Sequence, residues 1–215
     1  MLKRIYVWQF PVRLTHWVNF LAIVTLSLTG YYIGSPFLHA APGDFFYMAT
    51  MRLIHFVAAY VFTMSFLVRI YWGLAGNEYS RWTEFYPFSR RRRKDLLGCI
   101  QYYLFMRKEC PPATGHSASA AFSYLVLFVL FAAEIVTGFA LYGQSHPPGF
   151  LWTLMGGWVL SFFSSPAIRL IHHLIMWAIL VFAIIHIYIG WLNDMAEKRF
   201  VMSSIFGGYK TSHED

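Results

Sequence analysis

The sequence predicts an all-α integral membrane protein, a bundle of four transmembrane helices. Three observations carry this. Of the 215 residues, 58% are apolar and 13% charged; soluble domains are roughly 45–50% apolar. The apolar residues gather into four stretches of about 20 residues, the length needed to cross a hydrocarbon core about 30 Å thick. With four crossings, 14 of the 17 Lys and Arg residues fall on one side. At this length the chain reads as a single membrane domain, 1–215.

The first span is expected near 17–35. It is as long as a full crossing and follows the aromatic stretch Trp8–Trp17, so it does not read as a cleavable signal. The second is expected near 53–75. A strongly basic loop then leads to the third, near 120–142, which carries an intramembrane carboxylate, Glu134. Residues 149–163, rich in Gly and Trp, are too short to cross and are expected as an interfacial helix. The fourth span is expected near 168–192. Tyr71, Trp72 and Tyr142 stand at span ends, where aromatic rings anchor the headgroup layer.

The cations set the orientation. Lys3, Arg4 and Arg13 precede span 1. Arg81, the run Arg90–Lys94, Arg107 and Lys108 fill the middle loop, and Lys198, Arg199 and Lys210 follow span 4. The positive-inside rule then puts both termini and the middle loop in the cytoplasm. The net charge of +7 therefore reflects topology rather than nucleic-acid binding, and the arginine run suits anionic headgroups. Cys99 and Cys110 lie in the same loop, on the reducing side. No CxxCH occurs, so covalent haem attachment is not expected.

The chemistry lies in histidines. An imidazole inside a span is costly and is a functional hypothesis by default. His172 and His186 are fourteen residues apart in span 4. That is almost four whole turns and about 21 Å, so both leave one face at two depths. His16 opens span 1 on the cytoplasmic side, and His55 opens span 2 on the outer side. The four pair by depth, His55 with His172 outside and His16 with His186 inside, as two bis-histidine haems b require. The pattern Arg-x-x-His occurs at Arg13–His16, Arg52–His55 and Arg169–His172, and Arg69 follows His55 by fourteen residues. An arginine at each ligand suits the haem propionates: Arg52 and Arg169 outside, Arg13 and Arg69 inside. Gly30, fourteen residues after His16, would let span 1 approach the outer porphyrin. Gly30 and Gly138 are equally readable as small-residue helix contacts.

Other histidines read differently. His173 sits about 100° around the helix from His172 and is not expected to ligate. His39, His146 and His213 read as solvated, and His116 as solvated or near a quinone or haem edge. Glu134 is either a proton relay or a packed, protonated carboxyl.

Beyond single residues, the chain resembles the b-type cytochrome subunit of membrane-bound NiFe-hydrogenases over nearly its whole length. The resemblance is carried by Arg13-Leu-Thr-His16-Trp17 through Thr29-Gly30, Arg52-Leu-Ile-His55-Phe56, Arg69-Ile-Tyr-Trp72 and Gly76-Asn-Glu-Tyr-Ser-Arg81. Thr137-Gly-Phe-Ala-Leu-Tyr142, His172-His-Leu-Ile-Met-Trp177 and Gly207-Gly-Tyr-Lys210 extend it. The four-histidine pattern is shared with cytochrome subunits of formate dehydrogenases and thiosulfate reductases, whereas Arg69–Trp72 and Gly76–Arg81 tilt toward hydrogenase. The chain departs from the family at Arg169 (usually His), Ile171 (usually Trp) and Asn193-Asp194 (usually Glu-Asp).

The resemblance implies a multi-pass protein of the bacterial inner membrane with two haems b. A peripheral hydrogenase outside would oxidise H₂ and pass electrons inward to menaquinone or ubiquinone near the cytoplasmic side. Protons released outside and taken up inside would add to the proton-motive force. No cysteine set for a Ni–Fe centre or Fe–S cluster is present, so H₂ chemistry belongs to the hydrogenase small and large subunits. The outer loops, including 149–163, would dock them. Quinone candidates are the inner-side polar residues Asn77, Tyr79, Arg81, His116, Asn193 and Asp194. A small proton-coupled transporter using His and Glu134 is the alternative from another class. It would carry no chromophore, and the chain lacks the internal repeat common in transporters. A passive membrane anchor would tolerate loss of all four histidines.

Overall fold

The computed structural model describes residues 2–37, 47–86, 89–109, 111, 116–145, 148–197 and 201–213. His39, Cys110, His146, Lys198 and Arg199 lie outside the described residues. Four helices are long and apolar enough to cross a membrane: α1 (Phe10–Gly34), α2 (Tyr47–Ala75), α4 (Ala118–Gly143) and α6 (Ser165–Glu197). The last three expected spans lie inside α2, α4 and α6, and the first overruns α1 by one residue, Ser35. Helix α1 begins about two turns before the expected start, with Pro11 in its first turn, where the fixed φ suits a helix and the missing N–H is no loss. Pro166 plays the same part in α6.

Contacts gather into two compact units: Gln9–Gly76, and Met1–Trp8 with Asn77–Asp215. In the first, α1 packs on α2 through small residues. Thr15, Ala22 and Thr29 of α1 are buried, as are Ala58, Ser65 and Gly73 of α2. Seven residues are about two turns, so Thr15, Ala22 and Thr29 recur on one stripe. Small side chains there let the backbones approach, which is how helices associate in lipid. The opposite faces are apolar and open: Leu28 is 69% exposed and Leu74 70%. In lipid such faces are the rule, since the backbone is satisfied within each helix.

In the second unit α4 packs on α6, joined by a short helical segment. A π-helical turn, Trp152–Gly156, runs into α5 (Gly157–Phe162). This is the segment expected at 149–163, and it is far shorter than a crossing. Gly143 lets it lie against α4, since a Cβ there would meet the Trp152 backbone nitrogen at 3.3 Å. Ala140, Val159 and Ile168 form the buried cluster that ties α4, α5 and α6 together.

Two features were not expected. The arginine run, read as loop, is the first turn of α3 (Arg90–Tyr103). Ser89 caps it, its hydroxyl accepting from the Arg92 N–H at 3.1 Å, and the Arg92 guanidinium pairs with Glu84 at 2.8 Å. Cations at a helix N-terminus oppose its dipole, so composition disguised this helix. The ends of the chain also pair. Strand β1 (Leu2–Tyr6) runs antiparallel to β2 (Tyr209–His213), with Leu2 opposite His213 and Tyr6 opposite Tyr209. A short helix, α7 (Val201–Gly207), precedes β2. The pairing brings the two ends of the chain together.

Candidate functional site

The histidines expected near the outer side are built the same way in both units. In the first, Thr29 and Gly30 near the end of α1 face His55 on α2. The Thr29 hydroxyl lies 2.9 Å from His55 Nδ1, and a Cβ on Gly30 would come within 3.2 Å of His55 Cε1. In the second, Thr137 and Gly138 near the end of α4 face His172 on α6. Thr137 Oγ1 is 2.9 Å from His172 Nδ1, and a Cβ on Gly138 would come within 3.1 Å of His172 Cε1. The glycine removes the side chain that would push the ring away, and the threonine holds its inner nitrogen.

The hydrogen bonds fix the direction of the proton. Each threonine hydroxyl also lies 2.7 Å from the carbonyl one turn back, Thr25 for Thr29 and Ala133 for Thr137. A hydroxyl has one hydrogen. Once that hydrogen is given to the carbonyl, the oxygen can only accept from the imidazole, so Nδ1 carries the ring proton. The lone pair of the neutral ring then sits on Nε2. This is the tautomer a metal ligand needs, with its second nitrogen held by an outer partner. Two such rings, each closely approached by a glycine, are residues that would hold haem iron.

Of the two glycines, Gly30 was expected to accommodate the porphyrin. Its close approach in the structure is to the His55 ring itself. Glu134 touches the same site: its Oε1 lies 3.4 Å from His172 Nε2, both side chains being half-buried. It is packed against the histidine rather than isolated in the span. His173, one residue on, turns along its own helix at an exposed face, donating from Nδ1 to the Arg169 carbonyl at 2.7 Å.

The other two histidines make aromatic contacts. The His16 ring meets Trp17 edge-on at 5.2 Å between centroids, and His186 stacks on Phe182 at 5.8 Å. Among the arginines, Arg69 is almost fully buried at 3% exposure, Arg13 is half-buried with its guanidinium 6.0 Å from the Phe10 ring, and Arg52 and Arg169 are exposed.

The inner-side polar residues separate clearly. Asn77 donates from Nδ2 to the Val7 carbonyl at 3.0 Å and accepts from the Ser80 hydroxyl at 2.7 Å, which places it in the terminal clasp. His116 is half-buried, with Trp8, Phe85 and Tyr124 around its ring at 4.7, 4.8 and 5.7 Å. Asn193 Nδ2 lies 3.4 Å from the Tyr103 hydroxyl, and Asp194 is half-buried. Arg81 is exposed and Tyr79 half-buried. Burial, with Glu78 and Glu84 nearby, raises the Tyr79 phenol above its usual 10, so it stays a protonated donor at neutral pH. The two threonines were passed over as partners in the sequence. The signal was present, as Thr-Gly near the end of the span before each outer-side histidine.

Comparison with known proteins covers nearly the whole chain. The sequence model of the family described as "Prokaryotic cytochrome b561" matches residues 7–208. A protein of Cupriavidus necator named "Probable Ni/Fe-hydrogenase B-type cytochrome subunit" is 39% identical, over 98% of this chain and 88% of its own length. The protein of the same name from Rhodobacter capsulatus is 36% identical, over 98% of this chain and 83% of its own. An Escherichia coli K12 protein, "Probable Ni/Fe-hydrogenase 1 B-type cytochrome subunit", is 35% identical over 96% and 90%.

Proposed function

The chain belongs to the prokaryotic cytochrome b561 family, and from that premise we propose that it is the membrane subunit carrying electrons from a NiFe-hydrogenase on the outer face to quinone in the bilayer. The observation that carries the proposal is the repeated cradle: His55 and His172 are each held at Nδ1 by a threonine and approached by a glycine. The hydrogenase partner is supported by the names of relatives that match this chain end to end.

In this reading His55 and His172 hold an outer haem b, and His16 and His186 an inner one, paired by their depth in the sequence. Haem b, when bound, supplies a one-electron couple that the axial ligands and their surroundings tune. The residues of the chain bind and orient it. Arg52 and Arg169 offer charge to the propionates on the outer side, and Arg13 and Arg69 on the inner side. Orientation with both termini in the cytoplasm rests on the basic segments. Quinone reduction at that face needs donors to the carbonyl oxygens and a proton source. The candidates are Asn77, which keeps one Nδ2 hydrogen beside its bond to Val7, with Tyr79, Arg81, His116, Asn193 and Asp194.

The test is a dithionite-reduced minus oxidised spectrum of the purified protein with a pyridine haemochrome count. Two haems b per chain are expected, and a colourless protein would end this reading in favour of a transporter or anchor. The partner is tested by H₂-dependent quinone reduction in membranes, which should vanish when the chain is deleted. If formate instead of H₂ drives a reduction that depends on the chain, the hydrogenase assignment is wrong. The cradle makes its own prediction. Gly138→Leu should drive a side chain into the His172 ring and lower the haem count toward one per chain, with α-helical circular dichroism unchanged. A full complement in that variant would show that the close approach is not needed.

A further inference from the structure

We propose that Thr29 and Thr137 are positioning residues that set the redox potential of the outer haem. The inference rests on the reading that His55 and His172 are its axial ligands, and goes beyond it by giving the threonines a chemical task.

The two contacts lie in separate units, on different helix pairs, yet have the same length, the same atoms and the same order: Thr-Gly at the end of one helix, His near the start of the next. Helix packing alone does not require that order twice. Thr29 is buried and bonded to the Thr25 carbonyl, and Thr137 is bonded to the Ala133 carbonyl. Each hydroxyl is therefore held as an acceptor before a haem arrives. An acceptor at Nδ1–H draws the ring toward imidazolate character, which makes Nε2 a stronger electron donor. A stronger donor favours ferric over ferrous iron and lowers the potential. With two such bonds on one haem, both ligands act in the same direction. The substitutions touch His55 and His172 only, so the inner haem serves as an internal reference.

The test compares Thr29→Val and Thr137→Val with Thr29→Ser and Thr137→Ser. Valine keeps the shape and removes the acceptor; serine keeps the acceptor. The readouts are the haem count, a potentiometric titration of the haem absorbance and the low-spin ferric EPR signal. One of two titrating components should move to more positive potential in each valine variant. The expected size is about a tenfold change in the ferrous-to-ferric ratio, or ~59 mV for one electron. The double variant should move further, the other component should stay, and the serine variants should titrate as wild type. If a valine variant sheds the haem instead, the serine variant must retain it, and a serine variant that also sheds it overturns the proposal. Unchanged potentials and EPR signals in both valine variants, or a negative shift, overturn it too. A wild-type chain lacking two haems would defeat the ligand assignment, a failure separate from any result in the variants.

Discussion

On the proposed ligation, replacing His55 or His172 with alanine is expected to halve the haem content and to abolish electron transfer from the outer face. An axial imidazole has no substitute in these helices. Alanine has no ligating atom, and the rest of each cradle, Thr29 with Gly30 or Thr137 with Gly138, supplies no second imidazole. His16→Ala and His186→Ala should remove the other haem and leave the outer one reducible. His173→Ala is the control. Its ring bonds the Arg169 carbonyl on its own helix instead of entering the α4 seam, so both haems should remain. The measurement is a haemochrome count with a low-temperature difference spectrum, which resolves the two centres. If His173→Ala loses a haem and His172→Ala does not, the assignment between the neighbours is reversed.

Gly208→Val is expected to open the junction of the two termini. Gly208 sits at φ +86°, a conformation that disfavours any residue with a Cβ. A Cβ there would lie 2.7 Å from the Trp8 carbonyl oxygen and 2.6 Å from Tyr6 Cε2. The side chain of Tyr6 can turn away, but the backbone oxygen cannot without disturbing its neighbours. The Gly208 carbonyl accepts from the N–H groups of both Val7 and Trp8, at 2.8 and 3.0 Å, and Trp8 Nε1 donates to the buried Ser204 hydroxyl at 3.0 Å. Backbone strain of order 1–3 kcal/mol together with the clash makes a total of about 3 kcal/mol or more. The spans are satisfied within themselves and should persist. Limited proteolysis should therefore cut at the termini of the variant while the helical circular dichroism stays at the wild-type level. Wild-type resistance to protease would show that the clasp does not hold the ends.

Much of the reading was available before any fold was known. The four helices match the expected spans to within about two turns, and the short helical segment at Trp152–Phe162 lies where a non-crossing segment was expected. The likeness drawn from Arg13–Gly30, Arg52–Trp72 and Thr137–Tyr142 agrees with a family match over residues 7–208. Where the reading fell short, the cause was physical. The basic run of α3 hid a helix because its charge opposes the dipole, and only the Ser89 cap and Glu84 account for it. Nothing local in the sequence marks Asn77 as part of the terminal clasp. Its role in the clasp depends on Val7, 70 residues away.

The sequence by itself determined the number of spans and their boundaries to within about two turns. Lipid imposes these through local rules: a fixed apolar length, a backbone satisfied inside each helix and a constant helical period. Only the tertiary structure decided which hydroxyl holds which imidazole, why glycines stand opposite His55 and His172, and that the two ends of the chain form one sheet. Those contacts join residues 26, 35 and 196 positions apart, through Thr29–His55, Thr137–His172 and Trp8–Ser204. No local period encodes such meetings, because they depend on how whole helices pack once their own hydrogen bonds are made.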